Sequence, residues 1–337
     1  MRAVVMQGLH RPLALETVPD PVPEAGDMVV RVGRCGICGS DLHMTEDPAY
    51  GQGAGSILGH EFAGEVVALG RDVSGWRVGD RVAVSPLKSC GDCPACRAGE
   101  VQWCTAFGLQ GGGYAEYALT RPNQCVRLPQ SASLADGAII EPLAVALHGI
   151  GLSGLRRGDK VLVLGAGPIG LAVAFWARQH GAGRVVVQDI APWQRDRALA
   201  MGAHDFVVAP DDPVGAAQRA LGGPADLVFE CVGVPGLIAQ GVETARNRGT
   251  IVLLGLCTRP DTLNTFAMLS KEVRLITSAF FTRQEYEAAL DALDRGLAEP
   301  RLLVTDTIAL AQTPDVFESL RQRTHQCKVL IAPGDQA

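Results

Sequence analysis

Clustered positive charge is missing from this 337-residue chain: Lys and Arg total 30 against 36 Asp and Glu, giving a formal charge of −6 and a pI near 5.7. A nucleic-acid groove needs runs of Lys and Arg to neutralise phosphates, so a small-molecule partner is expected and nucleic acid is not. No secretory leader is expected either. Residues 1–7 read as a short strand rather than a charged segment followed by a long apolar stretch, so a cytoplasmic location is expected. No apolar run is both long and unbroken. The longest, 161–177, is interrupted by Gly165, Gly167, Pro168 and Gly170, which suits a strand, a turn and a helix better than a membrane span, so no membrane partner is expected. Internal repeats, low-complexity tracts and heptads are also absent.

What is present fits a two-domain globular protein, with 47% hydrophobic and 20% charged residues. Through about residue 150, short β-rich runs at 28–32, 61–69, 81–84 and 114–120 are separated by Gly, Pro and Asp turns. They predict a mainly antiparallel β domain. From residue 158 the rhythm changes to six apolar strands separated by helix-length segments, at 161–164, 184–189, 205–209, 226–231, 250–254 and 274–278. They predict a doubly wound parallel sheet, and hence an α/β chain. The tail, with a helical stretch at 314–323 and a strand at 328–331, is assigned back to the first domain. The expected division is 1–150 plus 300–337, and 151–299.

Val161-Leu-Val-Leu-Gly165-Ala-Gly167-Pro168-Ile169-Gly170 sets a glycine fingerprint between a predicted strand and a helix running to about His180. Gly165 permits the tight turn, Gly167 lets the backbone approach a pyrophosphate, and Gly170 allows helix and strand to pack closely. The helix N-terminus adds N–H donors and a positive dipole. The next strand ends in Asp189, 19 residues after Gly170, where a carboxylate accepts ribose hydroxyls and repels a 2′-phosphate. NAD is therefore expected rather than NADP, with Arg195 and Arg197 nearby as groups that could accept a phosphate.

Ten cysteines in a chain of this size, with no secretion expected, point to metal ligation rather than a disulfide framework. Cys90, Cys93, Cys96 and Cys104 lie within 15 residues. Four thiolates close a tetrahedral zinc shell and leave no open position, so a structural zinc is expected; an iron–sulfur cluster or free thiols are the alternatives. A looser set combines Cys38, in Gly36-Ile-Cys38-Gly-Ser40-Asp41-Leu-His43, with Gly59-His60-Glu61 and Glu141-Pro-Leu. One thiolate, one imidazole and one or two carboxylates form an incomplete shell that keeps a position for water or substrate, as catalytic zinc requires. Two zinc ions per chain are expected.

Together these motifs resemble the zinc-containing medium-chain dehydrogenase/reductase family, the alcohol dehydrogenase superfamily, over nearly the whole chain. Glu141 stands where many alcohol dehydrogenases carry a third ligand cysteine, as in the polyol, threonine and butanediol branch. The resemblance implies a GroES-like catalytic domain, a Rossmann domain and an active-site cleft between them. It implies that Cys38, His60 and a carboxylate, Glu61 or Glu141, hold the catalytic zinc. It further implies that Ser40 takes the alcohol proton and passes it, through the cofactor ribose, to His43. Asp41 is expected to accept the free ring N–H of His60. Cys231, Val232, Leu254 and Gly255 should approach the nicotinamide half, and Gln194 falls where a basic residue contacts the adenosine ribose; His148 is read as a core histidine.

The segment 278–283, with its paired Phe280 and Phe281, looks closest to butanediol-dehydrogenase-like members and points to a less polar substrate. The expected reaction is hydride transfer between NAD and a secondary alcohol, vicinal diol or hydroxyketone, in a homodimer or homotetramer. Polyol or L-threonine oxidation is the alternative within the family, and a zinc-free quinone or enone reductase is the rival on the same scaffold. A non-catalytic NAD-binding structural protein is the rival of another class.

Overall fold

Alternating apolar residues build the first sheet. In the strand Met28–Gly36, Met28, Val30 and Val32 are buried in a cluster with Phe62, Val66, Val82 and Val84 from the neighbouring strands. The structure, a computed structural model, describes residues 1–208, 211–322 and 325–334. By its internal contacts the chain divides into two units, Met1–Glu141 with Thr282–Leu297 and Val304–Ala337, and Pro142–Phe281 with Ala298–Leu303. The division differs from 1–150 plus 300–337 and 151–299 in three places. The first unit ends at Glu141, it recovers the helix Arg283–Asp294, and the stretch Ala298–Leu303 groups with the second unit.

The first unit holds a seven-stranded sheet, ordered Val304–Ala309, Lys328–Ala332, Met28–Gly36, Glu61–Leu69, Arg81–Val84, Cys125–Arg127, with Tyr117–Thr120 also pairing with Met28–Gly36. Its pairs are antiparallel except the first, Val304–Ala309 on Lys328–Ala332. Two expected strands change length. The run at 28–32 extends to Gly36, and the run at 114–120 shortens to Tyr117–Thr120, because Tyr114 and Ala115 pair with the N-terminal strand instead. The tail returns as assigned: Lys328–Ala332 joins Met28–Gly36, and the helix Thr313–Ser319 packs Phe317 into the same core. Arg323, the end of the expected helical stretch, lies outside the described residues, as do the last residues of 300–337.

The helix Leu134–Ser153 crosses the division between units at Pro142, a residue that removes one helical N–H. By length and composition it could cross a membrane, but 67% of its apolar window is buried, as in a core helix.

The second unit is a six-stranded, wholly parallel sheet of order Asp205–Val208, Arg184–Asp189, Lys160–Leu164, Ala225–Glu230, Ala245–Leu253, Arg274–Thr277. In chain order this is 3-2-1-4-5-6, the doubly wound arrangement whose strand order reverses beside the first strand. Ala209, the last residue of the expected third strand, lies outside the described residues. The helix after the fingerprint runs Pro168–Gln179 with His180 as its cap.

Candidate metal centres and nucleotide site

Four sulfurs converge first. Cys90 and Cys104 Sγ are 3.5 Å apart, Cys93 and Cys96 3.6 Å, and Cys90 and Cys96 3.9 Å. A disulfide needs about 2.05 Å, whereas four sulfurs around one zinc at about 2.3 Å stand about 3.8 Å apart on a tetrahedron. The donor set therefore fits zinc. Local structure prepares it: Pro94 opens the short helix Pro94–Arg97 with Cys93 as its cap, and Cys104 Sγ accepts the N–H groups of Cys90 and Ala106, each at 3.3 Å. The backbone N–H of Cys96 brings the Cys93 thiol down to about 6, toward the thiolate a metal requires.

The second centre is built by two turns of chain. Cys38 caps the helix Gly39–Met44, and His60 and Glu61 open the strand Glu61–Leu69. The donor atoms of Cys38, His60 and Glu61 lie within 4.8 Å of one another, near enough to share an ion with bonds of about 2.0–2.3 Å after small side-chain adjustment. Asp41, fully buried, places Oδ1 3.2 Å from His60 Nδ1. With Nδ1 facing a carboxylate, the proton belongs there and the lone pair belongs on Nε2. Ser40 Oγ lies 3.4 Å from that Nε2. Burial opposes charge on both partners, but each outweighs it for the other: Asp41 holds His60 well above its usual range, and His60 holds Asp41 below its own.

Glu61 carries a partner that sequence reasoning missed. Lys328 Nζ donates to Glu61 Oε1 at 2.8 Å and to the Ile37 carbonyl at 3.0 Å, and Glu61 Oε2 lies 2.7 Å away in ionic contact. Both side chains are buried, at 1% exposure. Glu141 is not among the three donors within 4.8 Å of one another, but it is near enough to Glu61 and His60 to feel their charge; burial, then the like charge of Glu61, pushes it up to about 7. The only hint of Lys328 in the sequence is a lysine opening an otherwise apolar strand. His43 is exposed and stacks on Tyr50 at 6.0 Å, and among the described residues no hydrogen bond joins it to Ser40.

The fingerprint residues gather at the carboxyl end of Lys160–Leu164. Gly165 has φ +96°, and a Cβ there would meet Val232 at 2.5 Å. A Cβ on Gly170 would lie 1.9 Å from the Gly165 carbonyl, whereas Gly167 faces open space. Pro168 and Ile169 form the first turn of the helix. Asp189 ends its strand, and its Oδ2 accepts the Ala166 N–H at 2.7 Å, tying the acid to the glycine turn. These features fit a dinucleotide.

Two family models match, the alcohol dehydrogenase GroES-like domain over residues 24–130 and the zinc-binding dehydrogenase over 168–295. Sorbitol dehydrogenase of Bacillus subtilis (strain 168) is 31% identical, covering 99% of this chain and 98% of the relative. The chain belongs to the zinc-containing medium-chain dehydrogenase family. (R,R)-butanediol dehydrogenase of the same strain is 31% identical over 96% of this chain and 98% of its own. Among solved structures, an alcohol dehydrogenase of Escherichia coli CFT073 with NADH has a TM-score of 0.90 at 29% identity, covering 99% of both chains. A zinc-binding dehydrogenase of Sinorhizobium meliloti 1021 with NADP has a TM-score of 0.87 at 32% identity, covering 98% of this chain and 99% of that one.

Other expected residues of this medium-chain dehydrogenase are placed as follows. Cys231, Val232, Leu254 and Gly255 all lie at carboxyl ends of sheet strands. There Glu230, a second residue sequence reasoning missed, accepts the N–H groups of Val232 at 2.8 Å and Gly233 at 2.9 Å. Glu230 is buried at 1% exposure, and burial pushes its carboxyl up. Gln194 is buried and accepts a hydrogen bond from Arg197, and Arg195 lies over the Phe206 ring. His148 is buried, consistent with a core histidine. Phe281 is also buried, at 1% exposure.

Proposed function

We propose that this medium-chain dehydrogenase interconverts a secondary alcohol or vicinal diol and its carbonyl partner, using NAD and a zinc ion held by Cys38, His60 and a glutamate. The observation that carries this reading is the convergence of the Cys38, His60 and Glu61 donor atoms within 4.8 Å, in a chain that also carries the Gly165 fingerprint. When bound, zinc supplies Lewis-acid polarisation of the substrate oxygen, and the nicotinamide supplies the hydride acceptor. Asp41 fixes the His60 tautomer, and Ser40 Oγ, beside His60 Nε2, accepts the substrate hydroxyl proton while releasing its own hydroxyl proton outward. His43, exposed at the surface, delivers that proton to solvent. Glu61 is the carboxylate closer to the donor cluster, and Glu141 is the alternate ligand.

Asp189 supports NAD, because its carboxylate would repel a 2′-phosphate, and Arg195 and Arg197 are engaged by Phe206 and Gln194. The names of the butanediol and sorbitol relatives support a diol or polyol. We assign cofactor binding to the second unit, zinc chemistry to the first, and the protein to the cytoplasm. A homodimer forms at the open edge of the second unit's sheet. There the terminal strand Arg274–Thr277 and the exposed Phe266 and Leu269 of the helix Thr265–Lys271 present pairing groups and apolar area. NADH formation is measured with vicinal diols, polyols, L-threonine and cyclic secondary alcohols, each with NAD and NADP. Turnover of a diol or polyol with NAD is expected, and turnover of none of them would contradict the proposal.

A further inference from the structure

Asp41 does more than face His60. Its Oδ2 accepts two donors, the Tyr114 hydroxyl at 2.7 Å and the Cys38 N–H at 3.0 Å, which leaves Oδ1 directed at His60 Nδ1, 3.2 Å away. One buried carboxylate thus links the backbone of one metal ligand to the ring of another. The Tyr114 ring is itself fixed. It is fully buried, Phe317 meets it edge-on with centroids 6.5 Å apart, and a Cβ on Gly59 would lie 2.3 Å from its Cδ1. Its main chain is held at both ends, the N–H donating to the Leu58 carbonyl and the carbonyl accepting from Val4. A ring so enclosed delivers its hydroxyl to one place, Asp41 Oδ2.

We propose that Tyr114 is a positioning residue for the metal centre, acting through Asp41 on His60. The inference rests on the reading that Cys38, His60 and a glutamate hold zinc. Without the hydroxyl, Oδ2 keeps only the Cys38 N–H, the carboxylate turns more freely about its last torsion, and Oδ1 no longer fixes the imidazole. Hydrogen-bond partners outside the ligand set tune metal affinity by about 10–100-fold. Tyr114 is one bond further out than Asp41, so the lower figure, about tenfold, applies.

The test compares zinc release to a chelator from the wild-type holoenzyme and from Tyr114→Phe, Asp41→Asn and the double variant. Tyr114→Phe keeps the ring and so the packing. The four-thiol zinc is an internal control, and the visible spectrum of the cobalt-substituted protein reports the geometry of the other site. The expected result is about tenfold faster release of one zinc from Tyr114→Phe, unchanged release of the other, and a shifted cobalt band. No further acceleration is expected when Tyr114→Phe is added to Asp41→Asn. A two-zinc wild type whose Tyr114→Phe variant releases both ions at wild-type rates overturns the inference alone, as do additive effects in the double variant. A wild type holding only the four-thiol zinc overturns the underlying reading, and the inference with it.

Discussion

Replacing Lys328 by Met should cost far more stability than a surface lysine would, because it strands a buried carboxylate. Lys328 and Glu61 are each 1% exposed, and the ammonium also satisfies the Ile37 carbonyl at 3.0 Å. In the zinc-free protein, where no metal ion compensates Glu61, removing one partner of such a pair leaves an uncompensated charge and costs about 3–5 kcal/mol. At about 2 °C per kcal/mol for a domain of this size class, the melting midpoint should fall by at least about 6 °C. The double variant Lys328→Met with Glu61→Gln removes both charges at once. Only the Ile37 carbonyl and a neutral amide then lose partners, so the loss should shrink to about 1–3 kcal/mol. The assay is urea unfolding of all three variants beside the wild type, each zinc-free, as a double-mutant cycle. If Lys328→Met loses less than about 1 kcal/mol, or if the double variant loses the sum of the two single losses, the ion pair does not support the site as argued.

Further outcomes follow from other contacts. Gly167→Ala should leave the unfolding midpoint nearly unchanged, because nothing lies within 4 Å of its Cβ position, yet weaken NAD binding in a fluorescence titration. Gly170→Ala, whose Cβ would sit 1.9 Å from the Gly165 carbonyl, should instead lose about 1–3 kcal/mol. Cys93→Ser should remove the four-thiol zinc and expose residues 90–104 to proteolysis while the Cys38 centre keeps its metal, as metal analysis of the variant would report. Phe266→Asp with Leu269→Asp, both exposed in the single chain, should lower the mass measured by light scattering if the sheet edge joins two copies.

What the sequence made legible was local. The four cysteines fall within one short loop, and the glycine turn and Asp189 lie on consecutive strands, so spacing alone implied the chemistry that their geometry fits. The parallel sheet was equally readable, because most of its strands are short apolar runs bounded by turns; Arg184–Asp189 spans the residues expected, whereas Ala245–Leu253 starts five residues before its apolar run at 250. The residues that hold the site in place were not readable in this way. Lys328 is 267 positions from Glu61, and Tyr114 is 73 from Asp41, so only the folded chain brings them together. Residue type also does not say how far a side chain is enclosed: Gln194 and Phe281, expected at the cofactor and beside the substrate, are both buried. The contact division at Pro142 was hidden as well, because the apolar pattern of Leu134–Ser153 continues through the proline as one helix.

The central claim is that two separate sets of side chains hold two zinc ions. Its most direct test is the zinc content of the purified wild type and of Cys38→Ser, each paired with an NAD-binding titration. The account predicts about two zinc ions per wild-type chain and about one in Cys38→Ser, with NAD binding retained in both and alcohol turnover lost in the variant. Equal zinc in the two proteins, or a wild type with about one zinc ion and no turnover, would contradict it.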